Sequence, residues 1–201
     1  MEEQTRIKIC GLTRLEDIDA VNELKPEYVG FVFAKSRRQI TKEHAVTLRR
    51  YLDPEIQAVG VFVNELPAIV AGYLEEGVID LAQLHGNESE EYIHSLRFRT
   101  GGELIKHFPS KPGRTSKRRK KQRRLHPSRP RKRRYRRIVR LVTDQKHGTP
   151  VFPCGSLNAE NVEQAILQTH PFAVDISSGV ETDGVKDPKK ITECIRRIRH
   201  V

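Results

Sequence analysis

Along this chain, short apolar runs alternate with stretches of helical spacing. Residues 6–10 alternate apolar and polar and predict a strand that ends on Cys10. Thr13 followed by Glu16 has the pattern of a capping box, opening a helix that runs to about Leu24. Tyr28 to Phe33 is almost continuously apolar, as in a strand buried on both faces. A helix over 41–51, a strand over 57–63, a helix over 65–76, a strand over 79–84, a helix over about 88–97 and a strand over 103–108 follow in turn. After a long interruption the alternation resumes. Residues 150–155 read as a strand, and Asn158 caps a helix to about Gln168. Residues 172–176 read as a strand, and Asp187-Pro188 opens a final helix to about Arg199.

Strand–helix alternation with buried strands specifies a parallel α/β sheet. Five units precede the interruption and two follow it, with room for one more inside. That makes eight, so the pattern predicts one (β/α)8 barrel over residues 1–201, at the short end for this architecture. A doubly wound sheet is the alternative, but the first strand is followed by no Gly-rich dinucleotide fingerprint.

Charge changes the picture in one place. The net charge of +11 suggests nucleic acid as a partner. Residues 110–140, however, hold 17 of the 37 Lys and Arg and none of the 26 Asp and Glu, so the rest of the chain is net acidic. The excess is one foreign-looking block, whose single aromatic, Tyr135, offers little for stacking on bases. No run has the length of a membrane span and no signal-peptide pattern stands at the N-terminus. Cys10, Cys154 and Cys194 are too far apart in sequence for a disulfide framework or a metal set. A reducing, cytoplasmic setting is therefore expected.

In a barrel of this kind, chemistry sits at the C-terminal ends of the strands. Cys10 ends the first strand. Arg37 and Arg38 follow the second, Asn64 the third, and Gln83 and His85 end the fourth. Gly155 and Ser156 follow the seventh strand, and Ser177, Ser178 and Gly179 follow the eighth, the two loops that usually cradle phosphate. Position alone thus suggests a phosphorylated small molecule, an arginine for a second anionic group, and a thiol facing both. His85 reads equally as a packed core histidine or as a lining of the site, and Cys194 as core.

These residues, in this order, resemble the phosphoribosylanthranilate isomerase family of tryptophan biosynthesis. The matching motifs are K-I-C-G at 8–11, G-F-V-F-A-x-S-x-R at 30–38, G-V-F-V-N at 60–64, Q-L-H-G at 83–86, L-N-A-E-N-V at 157–162 and V-D-I-S-S-G-V-E-x-x-G-x-K-D at 174–187. The resemblance covers residues 5–108 and 150–201. It implies an Amadori rearrangement, aldose to ketose, on a small phosphorylated substrate, with no cofactor and no metal. It implies a monomer or homodimer with no membrane partner and argues against nucleic acid; the alternative readings are a catalytically dead barrel or a nucleic-acid-binding barrel using residues 110–140. Cys10 would be the general base at sugar C2, its thiolate favoured by an electropositive barrel mouth. Arg38 would hold the anthranilate carboxylate; Gly155, Ser156, Ser177, Ser178 and Gly179 would hold the phosphate. Gln83, His85 and Asp175 would line the site. The family's general acid, an aspartate ending the sixth strand, has no counterpart: no Asp or Glu lies between Glu103 and Asp144.

In place of the family's fifth helix and sixth strand stands the basic segment, aberrant over 110–155 and Arg/Lys-rich over 110–140. It has nearly the expected length, as two compensating frameshifts would leave. Reading the last two bases of each codon with the first of the next, Leu125 to Arg129 can encode Phe-Ile-Leu-Leu-Asp. Arg133 to Arg136 can encode Gly-Gly-Thr-Gly, and Val139 to Leu141 can encode Phe-Asp-Trp. Thr149 to Gly155 can encode Arg-Pro-Phe-Phe-Leu-Ala-Gly, with alanine at Cys154. These fall in the family's order. The missing acid is therefore expected, out of frame, at Arg129.

Overall fold

In the computed structural model, residues 4–101, 104–106 and 157–201 are described. The basic block, the strand expected at 150–155, and Arg129, Cys154, Gly155 and Ser156 lie outside them. Among the described residues, six strands, β1 (Arg6–Cys10), β2 (Tyr28–Val32), β3 (Gln57–Phe62), β4 (Leu81–Leu84), β5 (Leu104–Lys106) and β6 (Ala173–Ile176), form one parallel sheet in the order β5-β4-β3-β2-β1-β6. The late strand β6, eighth in the expected count, pairs with the first, with Lys8 opposite Asp175 and Ile9 opposite Ile176.

The two faces of this sheet differ, which excludes a doubly wound arrangement. Ile7, Ile9, Val29, Phe31, Ala58, Phe62, Ala82, Leu84, Val174 and Ile176 pack into one large apolar core with the helices. The other face carries a small cluster with one residue from each of five strands: Tyr28, Val59, Leu81, Ile105 and Ala173. One face lined by helices and the other by a layer of strand residues is the signature of a (β/α)8 barrel. Strand period fixes the assignment: Ile7 and Ile9 point outward, so Lys8 and Cys10 point inward.

Among the described residues, six helices supply the outer layer: α1 (Leu15–Leu24), α2 (Lys42–Tyr51), α3 (Pro67–Glu75), α4 (Glu90–Thr100), α5 (Val162–Thr169) and α6 (Pro188–Arg199). Their starts follow side-chain chemistry. Thr41 accepts from the His44 N–H, Ser89 from that of Tyr92, and Asp187 from those of Lys189 and Lys190 ahead of Pro188 in the first turn. Two starts differ from expectation. At α1 the carboxylate that holds the entry is Asp17, not Glu16. It accepts from the backbone N–H of Thr13 (3.0 Å) and Arg14 (3.1 Å) and from the Arg14 guanidinium. Glu16 faces solvent whereas Asp17 is buried, so it is Asp17 that accepts from those donors. Asn158 Oδ1 accepts from the Glu160 N–H and Asn161 Oδ1 from the Asn158 N–H, which closes a turn before α5, and the helix proper begins at Val162. A short antiparallel pair, β7 (Glu181–Thr182) and β8 (Val185–Lys186), was not legible as strands in the sequence.

Candidate active site

The inward residues of β1 build the site from below. Lys8 is fully buried; its Nζ donates to Asp175 Oδ2 on β6 and to Gln83 Oε1 on β4, each at 2.9 Å. This paired ammonium lies directly beneath the mouth, one inward position below Cys10. Cys10 is buried at the strand's end. Gly30, its partner on β2, leaves room for it: a Cβ there would come within 2.6 Å of Cys10 Sγ and 3.0 Å of its Cα. Gly30→Ala is therefore expected to displace the thiol and cost about 1–3 kcal/mol, read as a lowered urea midpoint with slower thiol modification.

Electrostatics around Cys10 run against the sequence expectation. Burial pushes the thiol up; Lys8 beside it pulls it down, Asp175 adds to the rise, and Lys186 opposes it, with the rise prevailing. The positive groups were anticipated, but the dryness of the strand end was not. His85, just beyond β4, is exposed at the surface of this end, and the desolvation its ring does feel lowers its pKa despite Asp175 nearby, which keeps the imidazole neutral at neutral pH.

The loop after β6 closes the other side. Ser177 Oγ donates to the Cys10 carbonyl at 3.0 Å, tying this loop to β1. Ser178 and Gly179 continue in a single 3-10 turn, Ser178–Val180. Gly179 abuts the carbonyl of Leu157, where a Cβ would stand at 1.7 Å, so the segment starting at Leu157 lies against this loop. Arg38, beyond β2, crosses Gly11 and reaches Glu181, donating from Nε at 2.6 Å and from Nη2 at 3.0 Å. Glu181 also accepts from Lys186 (2.7 Å) and from Arg37. Cys10, Gln83, His85, Asp175, Ser177 and Arg38 thus share one end of the sheet. Lys8, Glu181 and Lys186 were not singled out from sequence. Lys8 was findable, since it lies two residues before Cys10 on the same strand face. The other two needed the β7–β8 pairing.

A parallel barrel whose thiol, arginine and serine-glycine loop converge at the C-terminal mouth is a (β/α)8 enzyme acting on a small anionic molecule. The family model for N-(5'phosphoribosyl)anthranilate (PRA) isomerase matches residues 7–125 and 135–197. The chain belongs to that family, and is by family an aldose–ketose isomerase of tryptophan biosynthesis. The matched stretches enter the basic block from both sides and leave out residues 126–134, among them Arg129. The N-(5'-phosphoribosyl)anthranilate isomerase of Thermoanaerobacter pseudethanolicus is 39% identical over 200 residues, covering 98% of each chain. Monomers of the dimeric Thermotoga maritima phosphoribosylanthranilate isomerase superpose with a TM-score of 0.76 at 32% identity, over 98% of this chain and 100% of that one. A phosphoribosyl anthranilate isomerase in complex with reduced 1-(o-carboxyphenylamino)-1-deoxyribulose 5-phosphate gives a TM-score of 0.75 at 28% identity, with the same coverage. Among the described residues no helix is long and apolar enough to cross a membrane.

Proposed function

We propose that this site rearranges N-(5'-phosphoribosyl)anthranilate to the corresponding 1-(o-carboxyphenylamino)-1-deoxyribulose 5-phosphate, in a reducing cytoplasm and without a cofactor. Protonation of the ring oxygen opens the sugar to an iminium. Cys10, as thiolate, removes the C2 proton, and the resulting enolamine tautomerises to the ketose. Arg38 holds the anthranilate carboxylate. Ser177, Ser178 and Gly179, with Gly155 and Ser156, hold the phosphate. Gln83, His85 and Asp175 line the cavity, and Asp175 fixes Lys8 beneath the base. The observation that carries this reading is the placement of Cys10 at the end of β1, above the Lys8–Asp175 pair and one residue from the stem of Arg38.

The same reading assigns residues 110–155 to a shifted frame within a single barrel over 1–201. Nearly equal lengths of this chain and its relatives support replacement of family sequence, since a nucleic-acid-binding insertion would add length. The polypeptide as translated lacks the acid and is expected to turn over little or no substrate. Resequencing codons 105–157 tests the assignment. A read that returns the same codons, with no in-frame copy of the locus, sinks a sequencing error.

The mechanism itself is tested by pH. Burial holds the Cys10 thiol above its ordinary range, so the base is mostly protonated at neutral pH. In the frame-restored chain, kcat/KM is expected to climb about tenfold per pH unit between neutrality and pH 9, and Cys10→Ala should abolish it. A flat profile over that interval would remove Cys10 as the base.

A further inference from the structure

Glu181 is the carboxylate that gathers the cations beside Cys10. Its carboxylate is 5% exposed and faces Arg37, Arg38 and Lys186. Burial raises its pKa, but the hydrogen bonds from Arg38 and Lys186 outweigh this and hold it at about 2, so it is ionised across the working range. One anion among three cations leaves the cluster net positive, which suits an anionic ligand.

The geometry of the Arg38 bond is specific. A guanidinium offers two edges to a planar carboxylate: the side edge, Nε with one Nη, and the end edge, Nη1 with Nη2. Glu181 takes the side edge, with Oε1 on Nε and Oε2 on Nη2. The Arg38 stem passes closely over Gly11, where a Cβ would fall 2.4 Å from Arg38 Cδ. Glu181 is itself anchored by Lys186, whose Nζ also donates to the Ser177 carbonyl at 3.0 Å. Ser177 in turn bonds the Cys10 carbonyl. A continuous set of short bonds therefore runs from the thiol's backbone to the side edge of Arg38.

We propose that Glu181 is a positioning residue that locks Arg38 by its side edge and presents the end edge to the substrate's aromatic carboxylate. Selectivity for a carboxylated ring over a plain phenyl ring then depends on Glu181, although Glu181 does not touch the substrate. The β7–β8 pair is the device that delivers it. Thr182 Oγ1 donates to Asp187 Oδ2 at 2.6 Å, and Lys190 Nζ donates to the Glu181 carbonyl at 2.8 Å, fixing the hairpin to the start of α6.

The inference rests on Arg38 as the carboxylate site, and binding to the frame-restored full chain separates the two claims. The probes are reduced 1-(o-carboxyphenylamino)-1-deoxyribulose 5-phosphate and its phenylamino counterpart without the carboxylate, titrated by calorimetry. The unsubstituted protein is expected to prefer the carboxylated probe. Glu181→Gln is expected to lower that preference about tenfold, the equivalent of one charge-assisted bond set, with binding of the phenyl probe unchanged. Glu181→Asp, which keeps the charge but shortens the reach, should lose roughly threefold. Circular dichroism identifies folded variants; where Glu181→Gln does not fold, Glu181→Asp carries the test by itself. An unchanged preference in a folded variant overturns the proposal. Tighter carboxylate binding by Glu181→Gln also overturns it, making Glu181 a competitor. No preference, or no binding, in the unsubstituted protein defeats the assignment of Arg38 and with it this inference.

Discussion

Restoring residues 110–155 to the shifted frame is expected to raise isomerase turnover by a factor on the order of 10²–10⁴, the usual contribution of a positioned general acid. The change supplies an aspartate at the position of Arg129 and replaces a basic run with a hydrophobic strand. Both matter physically. Without an acid, the ring oxygen leaves as an alkoxide and the iminium that Cys10 needs does not accumulate. A dense row of cations in a closed parallel sheet would each need a counter-charge, and residues 110–140 contain no carboxylate. Steady-state fluorescence of the anthranilate ring, followed in both chains at equal concentration, measures the difference. Equal turnover in the two would show that the aspartate is dispensable and that the shifted reading explains nothing.

Lys8→Met is expected to destabilise the fold by about 3–5 kcal/mol, because it removes one partner of a buried ion pair. Lys8 is fully buried, and Asp175 is 8% exposed. Left beside an apolar side chain, the Asp175 carboxylate loses its 2.9 Å bond to the ammonium, and Gln83 Oε1 loses its donor. That is a large share of the 5–15 kcal/mol typical of a domain. Replacing both partners, Lys8→Met with Asp175→Leu, should recover much of the loss, since burying two apolar side chains leaves no unpaired charge. Urea unfolding of the three proteins decides it. A single variant with an unchanged midpoint would show that the pair is not the keystone between β1 and β6. Lys8 also pulls the Cys10 thiol down, so any Lys8→Met protein that folds should show its pH–rate rise moved to higher pH.

The Glu181 arrangement gives the family motif at 174–187 a physical meaning. Ser177, Glu181 and Lys186 of that motif link the Cys10 backbone to Arg38, while Asp175 holds Lys8 one inward position below the thiol. Gln83 on β4 meets Lys8 from across the sheet's inner face.

The sequence by itself determined the parallel α/β class, because period-2 and period-3.6 patterns report which face of each element is buried. It also determined which strand ends carry Cys10, His85 and Ser177, because a parallel strand's C-terminal end can be read from its order in the chain. The opening of α6 at Asp187-Pro188 was legible for a similar reason: its cap acts on backbone groups two or three residues away. Asp17 over Glu16, and the later start of α5, were not, because burial chose between adjacent candidates. Only the tertiary structure joined Lys8 to Gln83 and Asp175, partners 75 and 167 residues distant. Only it showed the Cys10 thiol raised, since dryness depends on what packs over a strand end. And only it placed Glu181 on the side edge of Arg38, 143 residues away, because a charge network among loops has no period for a sequence pattern to reveal.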